Sequence, residues 1–349
     1  MKNKSNFLFI LLIICSVFLS FVNDDNPYFS ISKKDIKFVN PKGFPEPLYS
    51  FKNNKLTPDG FLLGRELFYD EILSKDNTVS CGSCHQRFAA FSHIDHTLSH
   101  GIYGRIGNRN IPSLQNLIWN NSFMWDGGIT NLEIQPLGPI SNHLEMDETI
   151  EGIILKLNKS PNYKPLFVKT FGDTIINSDR VLKALTQFVG LMISNKSKYD
   201  KYIAGKEKFT PEEEHGLQLF RAKCASCHTE PLFTNNSFKN NGLIPDSTLK
   251  DIGREKVTSN SADKYLYKVP TLRNIEMTYP YMHDGRFRKL KDILNFYGSN
   301  ENHTSLTDPL VNKIGPLDFT EKKDIILFLL TLTDKEFLFD RRFADPNVK

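Results

Sequence analysis

Hydrophobic residues recur at helical spacing in several separate segments of the chain, while strand-like alternation is rare and short. One helix is predicted after residue 57, with Thr57 as its N-cap, Pro58 in its first turn and apolar residues from Leu62 to Phe68. Another is predicted after Thr210, which begins a capping-box match that ends at Glu213. Further amphipathic helices are predicted over residues 147–157, 179–203, 290–297 and 320–331. The pattern therefore predicts a mostly α-helical protein.

Between these helices lie two long segments without periodicity, 88–125 and 232–268. Long irregular segments of this kind are commonly functional. The lysine-rich stretch 196–208, which contains Gly205, is the predicted linker. We therefore expect an N-terminal domain over 23–205 and a C-terminal domain over 206–349.

Each of the two strongest helices leads into a C-x-x-C-H pattern, the pattern to which a c-type haem is covalently attached. The two matches are Cys81-Gly82-Ser83-Cys84-His85 and Cys224-Ala225-Ser226-Cys227-His228. In this chemistry both thiols add to the haem vinyl groups, and the adjacent imidazole becomes the proximal iron ligand. A redox dithiol, a zinc half-site or chance are the alternatives for a single match, but two complete copies favour two haems.

The remaining cysteine supports the same interpretation. Four of the five cysteines lie in the motifs, so only Cys15 is left, and no structural disulfide is predicted.

Cys15 falls within an apolar run from Phe7 to Val22 that follows Lys2 and Lys4, as in a secretory signal. The run is short for a membrane span of about 20 residues, although an uncleaved anchor stays open. We expect residues 1–22 to be a signal peptide and the protein to be periplasmic.

Composition and charge exclude some classes of partner. The chain of 349 residues has 40% hydrophobic and 24% charged residues, which is typical of a globular protein. Its net charge of +4 is too small to indicate a nucleic-acid partner, and no basic run stands out. A mild positive charge slightly favours an acidic redox partner.

Several short strings occur together in the order seen in bacterial di-haem cytochrome c peroxidases. Besides the two haem motifs they are Leu63-Gly64-Arg65-Glu66-Leu67-Phe68, Arg109-Asn110-Ile111-Pro112-Ser113, Phe123-Met124-Trp125-Asp126-Gly127 and Val269-Pro270-Thr271-Leu272-Arg273-Asn274. From about residue 45 to 335 the chain resembles this family. The resemblance implies two cytochrome c-like domains, each around one covalently attached c-type haem. It also implies reduction of hydrogen peroxide at the N-terminal haem, with electrons entering at the C-terminal haem from a small cytochrome c or cupredoxin.

The resemblance also implies roles for particular residues. The family's distal Gln and Glu stand ten and twenty residues after its inter-haem Trp, which matches Gln135 and Glu145 after Trp125. From the residues alone, Glu145 would be a helix-start carboxylate and Trp125 a core residue. The family also binds calcium between its haems. The matching ligands are the side chain of Asn110 and the main-chain carbonyls of Thr278 and Pro280.

The chain departs from the peroxidases at the sixth ligand of the C-terminal haem. The family places a Met fourteen residues after the His of a Pro-Tyr-x-His-x-Gly motif, and here Tyr297 stands fourteen residues after His283. In this respect the chain resembles the di-haem enzyme of methylamine utilisation, which has a Tyr-ligated haem and oxidises a partner protein. An anionic oxygen ligand stabilises ferric iron, so we expect a low potential at this haem. The rival ligands are Met192, Met277 and Met282.

At the N-terminal haem, peroxidases of this family often have a loop His that blocks the iron until the protein is reduced. His100 is the candidate here, although its spacing to Arg109 is slightly long. His93 and His96 are expected to be exposed loop residues. Three function classes therefore remain: a peroxidase, a Tyr-ligated enzyme that oxidises a protein or another substrate, and a non-catalytic electron carrier. Gln135 and Glu145 argue against the carrier, which needs no acid-base group. Homodimer formation stays open.

Overall fold

Helices joined by long irregular segments make up the structure, a computed structural model that describes residues 31–299 and 304–347. The predicted signal peptide and Cys15 lie outside the described residues. Within the described part of the chain, no helix is long and apolar enough to cross a membrane. The described residues from 37 onward form one compact unit, and residues 31–36 belong to another. The predicted domain boundary at residue 205 remains a prediction.

The described residues are mostly helical, as predicted. The α-helices are α1 Pro58–Tyr69, α2 Cys81–Cys84, α3 Leu137–Ser141, α4 Ile150–Lys159, α5 Tyr163–Phe171, α6 Ser178–Val189, α7 Lys198–Ile203, α8 Pro211–Lys223, α9 Glu255–Thr258, α10 Leu290–Tyr297, α11 Pro309–Asn312, α12 Phe319–Leu330 and α13 Lys335–Leu338. Strands β1 (Phe238–Lys239) and β2 (Tyr267–Lys268) pair antiparallel, with Phe238 opposite Lys268. Short 3₁₀ turns punctuate the segment 88–125 without giving it a regular helix.

The capping residues fix the helix starts that the sequence predicts. Thr57 accepts a hydrogen bond from the Gly60 N–H at 3.0 Å, and α1 begins at the next residue, Pro58. At α8 the reciprocal capping box forms, with Thr210 Oγ1 accepting from the Glu213 N–H at 3.2 Å and Glu213 accepting from the Thr210 N–H at 2.7 Å. Helix α10 has the predicted bounds and α12 begins one residue before its prediction.

Two helix crossings organise the two halves in the same way. Helix α1 packs against α6 and helix α8 packs against α12, each through a glycine in the middle of the first helix. A Cβ added to Gly64 would lie 1.9 Å from the Ala184 carbonyl oxygen, and one added to Gly216 would lie 2.0 Å from the Asp324 carbonyl oxygen. Only glycine allows the backbones to approach this closely. The close crossings position the chain that follows α1 and α8, which in each case carries a haem motif.

Each crossing has its own aromatic core. In the first half the Phe188 ring lies 5.3 Å from Phe61 and 5.1 Å from Phe68. In the second half the Phe220 ring lies 5.0 Å from Phe328 and 5.6 Å from Phe233. Such tilted aromatic pairs contribute to stability beyond the area that they bury. The two cores agree with two haem-binding halves.

The single helix predicted over 179–203 is wrong, because α6 ends at Val189 and α7 begins only at Lys198. Groups distant in sequence bind the backbone between them. Asp334 Oδ2 accepts from the Asn195 and Lys196 N–H groups at 2.8 Å each, and Asn116 Oδ1 accepts from the Ser194 N–H at 2.9 Å. These N–H groups therefore do not bond to helix carbonyls.

The predicted linker 196–208 contains α7 and is anchored to the rest of the protein. Arg273, whose side chain is completely buried, binds both carboxylate oxygens of Asp200 at 2.8 and 2.9 Å. Its Nε also donates to the Pro231 carbonyl at 2.8 Å. The segment is thus an ordered element of the fold.

Candidate functional site

The first haem motif is a single helical turn, α2, with its own capping box. Ser80 Oγ accepts from the Ser83 N–H at 3.2 Å and Ser83 Oγ accepts from the Ser80 N–H at 3.1 Å. The second motif starts where α8 ends, so that Cys224 is the C-cap of that helix. In both cases the turn places two thiols and the following imidazole next to one another, as covalent haem attachment requires.

Both motif histidines are oriented by backbone carbonyls. His85 Nδ1 lies 2.7 Å from the Phe91 carbonyl oxygen, and His228 Nδ1 lies 3.2 and 3.1 Å from those of Phe233 and Pro270. A donor at Nδ1 fixes the tautomer in which Nε2 carries the lone pair that binds a metal. Burial lowers the pKa of each imidazole to about 4, which keeps the ring neutral. Both residues have the orientation of proximal ligands.

The environment of the four motif thiols does not favour the alternative interpretations. None of the four forms a disulfide, and burial raises the pKa of Cys81, Cys84 and Cys224 to about 12 and also raises that of Cys227. A redox dithiol instead needs a lowered thiol pKa. Within residues 31–299 and 304–347, no cluster of three or more His, Cys, Asp or Glu side chains is arranged to hold a metal ion, so the zinc alternative has no support.

One cavity of about 520 Å³ connects the two motifs. Its wall includes the thiols and imidazoles of both motifs and most of the residues singled out in the sequence. Those residues are Cys81, Cys84, His85, His100, Asn110, Trp125, Gln135, Glu145, Cys224, Cys227, His228, Thr278, Pro280 and Tyr297. The structure thus brings every candidate site residue to one cavity, and the paired thiols and oriented imidazoles fit two c-type haems.

Glu145 lies on the wall beside the first motif. Its carboxylate accepts from Ser99 Oγ at 3.4 Å, and its main-chain carbonyl accepts from the Ile102 N–H at 2.9 Å. Burial raises the pKa of this carboxyl, while hydrogen bonds from Ser99 and Asn142 oppose the shift. Its charge in turn raises the pKa of the Cys84 thiol, which places it next to that motif. Gln135 lines the same cavity in the turn before α3.

Hydrogen bonds of Trp125 and Asn110 join different segments of the cavity wall. The Trp125 indole N–H donates to the Asn110 carbonyl at 2.8 Å, and the Asn110 N–H donates to the His283 carbonyl at 2.7 Å. The Asn110 amide Nδ2 lies 2.5 Å from the Pro280 carbonyl oxygen. The amide Oδ1 accepts from the Ile111 N–H at 2.7 Å, and amide and main-chain oxygens of this kind are ligands that calcium prefers.

Tyr297 lies on the wall beside the second motif, at the end of α10. Burial raises the pKa of its phenol to about 12, with a smaller contribution from the thiols of Cys224 and Cys227 and an opposing hydrogen bond from Asn241. Among the rival ligands, Met282 also lines the cavity, and its Sδ accepts from Asn241 Nδ2 at 3.4 Å. Met192 is completely buried elsewhere and, like Met277, is not part of the wall.

The histidines after the first motif differ in their surroundings. His100 lines the cavity, with its Nδ1 3.0 Å from the Leu98 carbonyl and its carbonyl 3.5 Å from the Cys84 sulfur. His96 is exposed as predicted, and its ring lies 4.0 Å from that of His100. The prediction that His93 is exposed is wrong. Its side chain packs beside the first motif and His93 is 8% exposed.

Comparison with known proteins agrees with this geometry. Residues 58–208 match the family model for di-haem cytochrome c peroxidase. The methylamine utilization protein MauG of Methylophilus methylotrophus is 33% identical over 85% of this chain and 88% of its own length. The chain belongs to the di-haem cytochrome c peroxidase family. As a member of this family it is an oxidoreductase of the cytochrome c peroxidase type, and the family implies two covalently bound haem c groups.

Other relatives in the family include both of its functional types. The cytochrome c551 peroxidase of Nitrosomonas europaea is 35% identical over 82% of this chain and 83% of its own length. The crystal structure of a MauG-like protein associated with microbial copper homeostasis has a TM-score of 0.79 and 29% identity, over 89% of this chain and 99% of that one. The di-haem peroxidase BthA of Burkholderia thailandensis, at 22% identity and a TM-score of 0.72, shares the fold.

Asn241 and Lys268 are among the residues of the cavity wall that the sequence pattern did not single out. Asn241 lies within the irregular segment 232–268, where no periodicity or motif marks it. Lys268 directly precedes the Val269-Pro270 string, but a lysine in a short strand gives no sign of burial.

Proposed function

We propose that the protein is a periplasmic peroxidase that reduces hydrogen peroxide to water, taking up two electrons and two protons for each peroxide. The haem held by Cys81, Cys84 and His85 would supply the iron site for peroxide, and the haem held by Cys224, Cys227 and His228 the path by which electrons enter. The observation that carries the proposal is the half-buried Glu145 carboxyl on the cavity wall beside the first motif.

Glu145 is the proposed acid-base group. The alternative, a carboxylate that stabilises the start of α4, has little support because Thr149 is the N-cap of that helix. Glu145 lies on the haem cavity with its carboxyl held by Ser99. A carboxyl in this position can take a proton from the nearer peroxide oxygen and return it to the farther one as the O–O bond breaks. The Gln135 amide on the same wall is suited to orient the peroxide.

Trp125 is the proposed relay for electrons between the two halves. It lines the cavity that both motifs share, and its indole is held in a single orientation by the Asn110 carbonyl. A small cytochrome c or cupredoxin is the proposed donor. Calcium held by Asn110, Thr278 and Pro280 is part of the same proposal, and all three residues lie on the cavity wall. Formation of a homodimer remains a prediction.

A second candidate function is supported by Tyr297. This phenol is next to the second motif, where a peroxidase of the family has a Met, and the relative from Methylophilus methylotrophus is named for methylamine utilisation. A Tyr ligand would lower the potential of that haem and favour oxidation of a protein or other substrate, with peroxide as the oxidant.

Spectra of the purified ferric holoprotein separate the two candidates. Two low-spin haems that do not react with peroxide until one is reduced would support the peroxidase, with His100 as the blocking ligand. One high-spin haem beside a low-spin haem without a methionine charge-transfer band, and a long-lived oxidised state after one equivalent of peroxide, would support the substrate-oxidising enzyme. Tyr297→Met is the matched variant, and it should acquire the methionine band only if Tyr297 is the ligand. No peroxide turnover with any reduced donor or substrate would contradict both.

A further inference from the structure

Lys268 is a cation on the cavity wall that the proposed reaction does not use. It lies in β2, where its main-chain N–H donates to the Trp125 carbonyl at 2.7 Å. Its Nζ donates to the Ser122 carbonyl at 2.7 Å and lies 5.9 Å from the centre of the Phe123 ring. The side chain is half-buried because the rest of its surface faces the cavity. The main chain of Lys268 therefore lies beside the proposed electron relay, and its ammonium group lies beside Ser122 and Phe123.

The electrostatic environment of Lys268 lacks an anion. Burial alone lowers its pKa to about 8, and no acid among the described residues contributes to that shift. On the same wall, Lys239 pairs with Asp308 at 2.8 Å and Lys256 is exposed to solvent, whereas Lys223, like Lys268, donates to a main-chain carbonyl, that of Ile314, at 2.9 Å. A buried ammonium without a counter-ion costs several kcal/mol, so such groups are normally paired. The ammonium of Lys268 is thus suited to pair with an anion from outside the protein chain.

A haem carries two propionate carboxylates, which are the anions that this cavity is expected to receive. We propose that the Lys268 ammonium binds a haem propionate beside Trp125 and that this pair raises the reduction potential of that haem. A cation close to the haem favours the added electron, because it neutralises negative charge that the reduction increases. The proposal rests on the two-haem assignment and is independent of which substrate is oxidised. It makes Lys268 a positioning residue that tunes electron flow at the relay.

Spectroelectrochemical titration of the holoprotein tests the pair. Lys268→Met removes the charge and retains most of the side-chain length, while Lys268→Arg retains the charge. Lys264→Met is the control, since Lys264 is exposed nearby and the same net charge is lost. We expect Lys268→Met to shift one haem to a more negative potential by at least a tenfold change in its reduction equilibrium, which is 59 mV for one electron. Lys268→Arg and Lys264→Met should shift it much less.

Each result decides the question. Potentials for Lys268→Met that match those of Lys264→Met would overturn the proposal. If Lys268→Met fails to load both haems, haem content becomes the readout. Full loading of Lys268→Arg then supports a requirement for the positive charge, and failure of both variants would overturn it. Absence of peroxide turnover in the wild-type protein would contradict the proposed function and not this pair, which the potentials test.

Discussion

Replacing Glu145 by Gln removes the proposed proton-transfer group and very little else. Glutamine has the same size, and its Oε1 can still accept from Ser99 Oγ, as the carboxylate does at 3.4 Å. The main-chain bond from Ile102 to residue 145 does not involve the side chain. The cavity wall should therefore keep its shape, and any loss of rate reports the missing proton transfer.

General acid-base groups contribute about 10²- to 10⁴-fold to a rate. At about 1.36 kcal/mol for each factor of ten, Glu145→Gln should raise the barrier for peroxide reduction by roughly 2.7–5.5 kcal/mol. The assay is steady-state turnover of peroxide with a reduced small cytochrome c, together with haem content from the pyridine haemochrome spectrum. Both haems should remain attached, since neither motif is altered.

The pH dependence gives a second readout. As a base, Glu145 must be ionised, and burial raises its pKa, so the wild-type rate should fall as the pH decreases through that raised value. The rate of the Glu145→Gln variant should not show this decrease at acidic pH. Glu151→Gln in the exposed first turn of α4 is the control and should keep the wild-type rate and profile. A Glu145→Gln rate within threefold of the wild-type rate, with the same decrease at acidic pH, would refute the acid-base role.

Three further outcomes concern stability and metal binding. Gly64→Ala and Gly216→Ala should each destabilise the protein by about 1–3 kcal/mol or more in thermal unfolding, because the new methyl would overlap a backbone carbonyl of the partner helix. Gly152→Ala should be tolerated better, since its nearest neighbour is a glutamate side chain that can move. Arg273→Met breaks a buried ion pair and should cost about 3–5 kcal/mol in urea unfolding, and near-wild-type stability would contradict the buried pair. Removal of calcium by a chelator should lower peroxide turnover, and Ca²⁺ but not Mg²⁺ should restore it. If the chelator has no effect on turnover, the calcium prediction at Asn110 is wrong.

Local chemistry made much of the fold predictable. Thr57 and Thr210 cap their helices through contacts within three residues, so the sequence contains all the information needed to place those starts. The break between α6 and α7 was not predictable in this way. It depends on Asp334, which bonds to backbone groups about 140 residues earlier in the chain. A hydrophobic pattern records which face of a segment is buried, but not where a distant carboxylate interrupts its hydrogen bonds.

The candidate site likewise contains some residues that local sequence predicts and others that it does not. The haem motifs were predictable because their spacing is set by the cofactor itself, and Tyr297 because α10 places Leu290, Ile293, Leu294 and Tyr297 on one face that lines the cavity. His93 and Lys268 were not, because their burial depends on packing between segments far apart in sequence.

The two halves share one scaffold and differ in the side chains that line the cavity beside each motif. Both halves use a capped helix, a glycine crossing, a haem motif and a histidine held by a backbone carbonyl. Beside the first motif the wall offers the carboxyl of Glu145, which can move protons. Beside the second it offers the phenol of Tyr297, whose pKa burial raises to about 12. On the proposed function, one scaffold used twice would place proton transfer at one haem and control of potential at the other.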